Sequence, residues 1–290
     1  MTLAERNNGG DMGAELVRFL EEISIRALLS VAPMCVMLLI MISLERRVTP
    51  ARPRASGPAW FNVRYGIVML VLNSALQPLL PEVSLALTRT LGAGWISFEE
   101  GIAGWCLALL AVLLTTDLLE YLIHRAQHAF PVLWKMHELH HSAEHFDVTL
   151  TYRHFWVEPL LRAACLFPLV GVLFKVPPSV GAAAAIIFLI NNHVAHMNLR
   201  YSPRFALLIQ HPQYHRLHHS RHERDRNKNF SNLFPLWDIL FGTLRRPESD
   251  EFVDVGLGSG DAPHSLWQAL LWPWCRMRQA STPLERVPRT

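Results

Sequence analysis

Long apolar runs alternate with short polar stretches that carry most of the histidines. Residues 1–12 are polar and glycine-containing, lack the basic start of a signal peptide, and are expected to be irregular. Residues 13–25 (Ala14, Leu16, Val17, Phe19, Leu20, Ile23) place apolar and charged positions at helical period, as in an interfacial amphipathic helix. Ala27–Leu44 is apolar and uncharged for about 18 residues, enough to span a bilayer core. It ends in Glu45-Arg46-Arg47 and a Pro/Arg loop through Arg54. A shorter run, Gly66–Leu80, is a weaker span that stops at Pro81. Ile102–Leu114 continues helically through Thr115, Asp117 and Glu120 to His128, and Phe130-Pro131 ends that helix. Leu160–Val176 and Val180–Ile190, joined by Pro177-Pro178, are short for full spans and predict a hairpin that crosses partly or tilts. Leu266–Met277, with Trp267, Trp272 and Trp274, suits either an interfacial helix or a packing helix of the cap.

No strand-like alternation is visible, so the expected fold is all-α. It is an integral membrane bundle of about four transmembrane or partly spanning helices with a histidine-rich cytosolic helical cap. The expected divisions are 1–100 (amphipathic and transmembrane helices), 101–246 (catalytic domain) and 247–290 (tail).

Composition agrees with a membrane protein. Charged residues make up only 18%, below the soluble average of about 25%, and mean hydropathy is +0.18. Net charge is +3, with no basic–aromatic motif, so a nucleic-acid partner is not expected. Cys35, Cys106, Cys165 and Cys275 are widely spaced, suggesting small buried apolar residues rather than a disulfide framework or thiolate metal site. The Arg-rich loop after Leu44 and the basic 197–246 region (Arg200, Arg204, Arg216, Arg221 and beyond) place both on the cytoplasmic side. Counting spans returns the end of the third run to that side as well.

All but one of the 15 histidines lie between His124 and His222. They cluster as His124-x-x-x-His128, His137-x-x-His140-His141, His193-x-x-His196 and His215-x-x-His218-His219. Positions i, i+3 and i+4 share a helix face, so each cluster aims several imidazoles one way. Buried separately, every ring would need its own hydrogen-bond partners, whereas a shared metal centre satisfies many at once. The ligand number exceeds what one ion takes and argues for two. Imidazole suits iron, zinc, copper or nickel. Asp117 and Glu120, on the helix that carries His124 and His128, are candidates to support the ligating rings. Glu144, Glu158 and Asp225 are weaker ones. His137-Glu138-x-x-His141 also satisfies H-E-x-x-H, with Glu138 as the base of a zinc protease, but that reading leaves the other clusters without a use. Otherwise Glu138 is expected to be an exposed helix residue.

These motifs come in a particular order. Asp117…Tyr121…His124-Arg125-x-x-His128 is followed by Leu133-Trp134-Lys135-x-His137-x-x-His140-His141-Ser142. His196-x-Asn198, His215-Arg216-x-His218-His219 and Trp237-Asp238-x-x-Phe241-Gly242-Thr243 complete it. In this order they resemble the fatty acid hydroxylase/sterol desaturase superfamily over about residues 110–245. The resemblance implies a histidine-ligated, normally di-iron site that uses O2 to oxidise a lipid. By position the ligands are His124, His128, His137, His140, His141, His196, His215, His218 and His219, with His193 as a tenth candidate. The family's Arg-x-His-Pro-x-Glu appears here as Arg153-His154-Phe155-Trp156-Val157-Glu158, with the histidine displaced and the proline absent, so no role carries over to His154. His145 and His222 fall outside the ligand set.

The expectation is a membrane-bound, O2-dependent di-iron hydroxylase of a fatty acyl, sterol or related lipid C–H bond. The same site could serve a desaturase or cleave an ether. A zinc metalloprotease or a metal transporter is the competing class. No flavin or nicotinamide glycine motif is present, so electrons are expected from a separate redox protein.

Overall fold

The computed structural model describes residues 3–48, 58–76, 79–199, 208–248 and 251–280. Most of the Pro/Arg loop after Arg47, together with Arg200 and Arg204, lies outside them. A long helix, α1 (Leu3–Arg47), joins the polar start to the first apolar run through Pro33 without a break. The polar start is thus helical from Leu3 onward. Helix α2 (Pro58–Leu76) covers the second run.

Pro81 does not end that region. It sits in the first turn of α3 (Leu79–Leu91), a helix that periodicity over the short polar connection did not reveal. Helix α4 (Ile102–Ala129) stops at Phe130, as the Phe-Pro step predicts, and α5 (Pro131–His141) starts with that proline at its head. A 3₁₀ turn at Val148–Tyr152 leads to α6 (Glu158–Leu173) and α7 (Pro178–Ala195). The cap adds α8 (Pro212–His218), α9 (Leu236–Leu240), α10 (Leu266–Leu270) and α11 (Trp272–Ala280). The only strands among the described residues are two-residue pieces, β1 (Ile96–Ser97) and β2 (Phe174–Lys175), paired in parallel.

Three helices among the described residues are long and apolar enough to cross a membrane: Ala59–Leu76 of α2, all of α4 and all of α7. They are not apolar for the sake of an internal core. Leu107 and Leu110 on α4 and Ile186 on α7 face outward, and only 28% of each span is buried inside the protein. A helix that is hydrophobic all round yet unburied by protein needs lipid around it. The last two runs pack against other helices, the second of the two expected arrangements, and the run in α7, expected to be short, is long enough to cross. Helix α6 packs on α3 and α4, while α7 packs on α4. The cysteines also depart from expectation. Cys106 and Cys165 are exposed and Cys35 and Cys275 half-buried, all as free thiols.

The cap is tied to the spans by buried polar contacts. Glu45, at the end of α1, accepts from the backbone N–H of Asn198 (2.6 Å) and Val148 (3.3 Å). Gly66 lets the 3₁₀ turn close on α2, because a Cβ there would meet Tyr152 Cβ at 2.9 Å. Arg153 donates to Leu139 O, Asn62 Oδ1 and Ser142 Oγ, joining the turn to α5 and α2. Trp272 is buried with Tyr65, Leu139 and Phe155, whereas Trp267 and Trp274 are exposed, so the tail both packs on the cap and presents aromatics outward. Within α4, the fully buried Asp117 accepts from the N–H groups of Leu233 (2.7 Å) and Phe234 (2.9 Å).

Replacing Asp117 with Ala strands those two buried N–H groups, each at a cost of about 1–3 kcal/mol. Thermal unfolding in detergent is expected to show a loss of at least a few kcal/mol relative to a surface Asp→Ala control.

Candidate metal centre

The histidine clusters converge into two adjoining groups. His124, His128, His137, His141 and His218 form one, and His140, His196, His215 and His219 the other. Within each group one ring nitrogen from every member lies within 4.8 Å of the rest.

Helical spacing explains the partition. On α5 the i, i+4 pair His137/His141 feeds the first group and His140 the second. On α8 the assignment reverses: His215/His219 feed the second group and His218 the first. The two H-x-x-H-H motifs therefore interlock, with His141 stacked on His219 at 4.3 Å between ring centres. Helix α4 supplies His124 and His128 from its last two turns. His196 follows the end of α7. Pro212 opens α8 at its first turn.

Backbone carbonyls and one carboxylate orient the rings. The Nδ1–H groups of His124, His196 and His218 donate to Phe230 O (2.8 Å), Asn192 O (2.7 Å) and Lys228 O (2.8 Å). His137 donates to Glu158 Oε2 at 3.0 Å. These bonds leave Nε2 as the free lone pair, the arrangement a metal-binding imidazole requires.

The free nitrogens then face one another. His215–His196, His218–His141 and His140–His196 bring Nε2 atoms to 2.9, 3.1 and 3.2 Å. The Nε2 atoms of His124, His128 and His137 are buried with no protein partner at all. Unpartnered buried nitrogens are costly, and a cation shared within each group satisfies them together. Burial also holds these rings neutral. His196 and His218 are pushed down to about 3, and His140, His141, His215 and His219 fall well below the usual imidazole range, chiefly by desolvation. The donor set fits metal, and by number it fits two ions.

Several expectations change in three dimensions. Asp117 touches no ligating ring. It holds the Leu233–Phe234 segment, a few residues beyond the Phe230 carbonyl that orients His124. Glu120 pairs with Arg162 at 3.5 Å and lines the space among the rings. His193 belongs to neither group: its Nδ1 bonds Leu189 O (2.7 Å) and its Nε2 accepts from the Tyr152 hydroxyl (2.9 Å). Glu138, expected to be exposed, is buried and paired with Arg276 and Lys135. That engages the carboxylate a protease base would need.

Glu158, by contrast, is more central than its sequence suggested. It takes His137, the Gln127 side chain (2.7 Å) and the Phe155 N–H (3.0 Å) at once. His154 stacks on His140 at 4.1 Å and lies 3.6 Å from Glu158. The Arg153…Glu158 stretch was the available signal for both. Asp238 accepts from the Phe230 and Ser231 N–H groups and from the Thr243 hydroxyl, and Thr243 bonds the Tyr121 hydroxyl at 3.0 Å. The closing Trp-Asp…Gly-Thr motif thus shapes the loop that orients His124.

Residues 109–243, a little under half of the chain, match the family model "Fatty acid hydroxylase". The chain is similar to alkylglycerol monooxygenase of Danio rerio (29% identical over 60% of this chain and 38% of that protein). It is similar to ornithine lipid hydroxylase OlsE of Rhizobium tropici (30%, 54% and 47%). A more distant relative is very-long-chain aldehyde decarbonylase CER1 of Arabidopsis thaliana (26%, 53% and 26%). The chain spans less than half the length of each of these relatives. No solved structure gives a significant match.

Glu158→Gln is expected to weaken metal retention about 10- to 100-fold, as loss of a ring-orienting carboxylate does elsewhere; competition with a chelator checks it. Protons compete for rings whose folded values lie far below the ordinary 6.5. The stability that neutral imidazoles contribute is therefore present above about pH 6.5 and is lost as pH falls below it, because the unfolded chain takes up the protons. Metal content after dialysis is expected to hold above about pH 6.5 and to fall progressively as pH is lowered from there toward about 3.

Proposed function

We propose that this chain is a membrane-bound, O2-dependent di-iron lipid hydroxylase. The observation that carries the reading is the pair of interlocked histidine groups at the ends of apolar helices, beside a cavity of about 360 Å³ that His196 lines. The similarity to alkylglycerol monooxygenases and to an ornithine lipid hydroxylase supports a lipid substrate.

An unactivated C–H bond is beyond side-chain acids and bases, so the cofactor has to carry that step. Iron, when bound, supplies the oxidant with O2 and two electrons. Zinc has no redox chemistry to offer. The net change is R–H with O2, two electrons and two protons giving R–OH and water. The protein's share is to hold the ions through the nine imidazoles, keep water out, and hold one carbon close. The electrons come from a separate redox protein.

The basic end of α1 lies beside the histidine cap, since Glu45 bonds Asn198 and Val148. The positive-inside rule then supports a multi-pass chain with its centre on the cytoplasmic face. Desaturation by the same site is the close alternative, differing only in the fate of the substrate radical. A transporter would want ligands along the spans, and these gather at their ends.

Purified protein is expected to hold about two irons and to consume O2 with a lipid and a reductant. His140→Ala and His218→Ala, one from each group, are expected to abolish turnover while leaving membrane insertion intact. Mass spectrometry of lipids from cells with and without the protein identifies the reaction: a gain of one oxygen supports hydroxylation, and a loss of two hydrogens supports desaturation. No O2-dependent lipid change would sink both.

A further inference from the structure

The 360 Å³ cavity adjoins a small space of about 40 Å³ among the ligating rings. The two have four lining residues in common: His154, Arg162, Asn192 and His196. Away from this junction the larger cavity is mostly apolar, with Met34, Met69, Leu70 and Leu160 forming a wall suited to an alkyl chain that Asn73 and Ser74 interrupt. At the junction all four shared residues are polar, and Arg162 is the cation among them.

Arg162 is loosely held. Its terminal nitrogens lie 3.5 Å from Glu120 Oε2 and 3.5 Å from Gln127 Oε1, both long contacts. Its Nε is buried with no hydrogen-bond partner. An unmet N–H on a cation at the entrance to the metal space calls for an oxygen from whatever fills the cavity. A methyl terminus there would leave the group desolvated and unpaired, which is unfavourable.

Depth agrees with this orientation. The junction lies at the ends of α4 and α7, where a bilayer lipid keeps its head group rather than its chain end.

We propose that Arg162 is a positioning and specificity residue that binds an oxygen function of the lipid. The substrate would then be a single alkyl or acyl chain oriented oxygen-end toward the metals, and the oxidised carbon would lie close to that oxygen. This rests on the hydroxylase reading for its chemistry but not for its binding test.

The test uses iron-loaded protein in nanodiscs and displacement of a fluorescent hexadecyl probe by 1-hexadecanol or hexadecane, which differ by one hydroxyl. Wild-type protein is expected to prefer 1-hexadecanol by about tenfold, the scale of one hydrogen bond to a charged donor. Arg162→Gln is expected to lose that preference at unchanged iron content, and Arg162→Lys to recover part of it. A wild-type preference under about twofold, or a preference kept in Arg162→Gln, overturns the proposal. Where Arg162→Gln loses iron, the wild-type preference and Arg162→Lys decide alone. Oxidation in the methyl-terminal half of the chain would also overturn it. Selective binding with no oxidation at all would instead sink the hydroxylase reading and leave the assignment of Arg162 intact.

Discussion

Burying neutral imidazoles against one another is the constraint around which this molecule is built. Nine rings converge with their lone pairs aimed inward, and several of those nitrogens have no protein atom to bond. In a dry interior such groups destabilise the fold unless a cation takes them up. The surrounding polar contacts follow from that need. Phe230, Asn192 and Lys228 carbonyls and the Glu158 carboxylate fix ring orientation, so each lone pair already points where an ion would sit. The histidines make the site. The loop that carries the Phe230 carbonyl is held in turn by Asp117 and Asp238.

The membrane enters through the same helices. Helix α4 carries outward-facing leucines along its length and two inward-facing histidines in its last turns. Helix α7 is alike, ending just before His196. Lipid contact and metal ligation are thereby joined in single rigid elements. A site on rigid helices is held more precisely than one on loops. The mostly apolar cavity beside it meets the space among the rings at a polar junction of His154, Arg162, Asn192 and His196.

The H-x-x-H-H motif gains a specific meaning. Its i, i+4 members stay together on one group while the i+3 member crosses to the other. With two such motifs on α5 and α8 in opposite assignment, neither group forms without the other helix. Two neighbouring donor sets follow from this exchange. A single H-E-x-x-H site does not, since Glu138 is engaged by Arg276 on the far-C-terminal α11.

Much was determined along the chain itself. Apolar runs placed α1, α2, α4, α6 and α7, and the proline steps set the break between α4 and α5 and the start of α8. Spacing named four clusters of ten histidines, of which all but His193 converge, because 3.6-residue periodicity is a local property that sequence displays directly. Three-dimensional packing alone decided which rings share an ion, since the choice between i+3 and i+4 partners depends on what faces each helix. It also decided the roles of isolated residues. His193 reads like a ligand beside His196, yet its ring meets the Tyr152 hydroxyl instead of the other histidines. Glu158 reads like one of three weaker candidates and becomes the anchor of His137. Arg162 carries no motif at all, and only the meeting of two cavities singles it out. These depend on long-range contacts between helices, and no local pattern encodes such contacts.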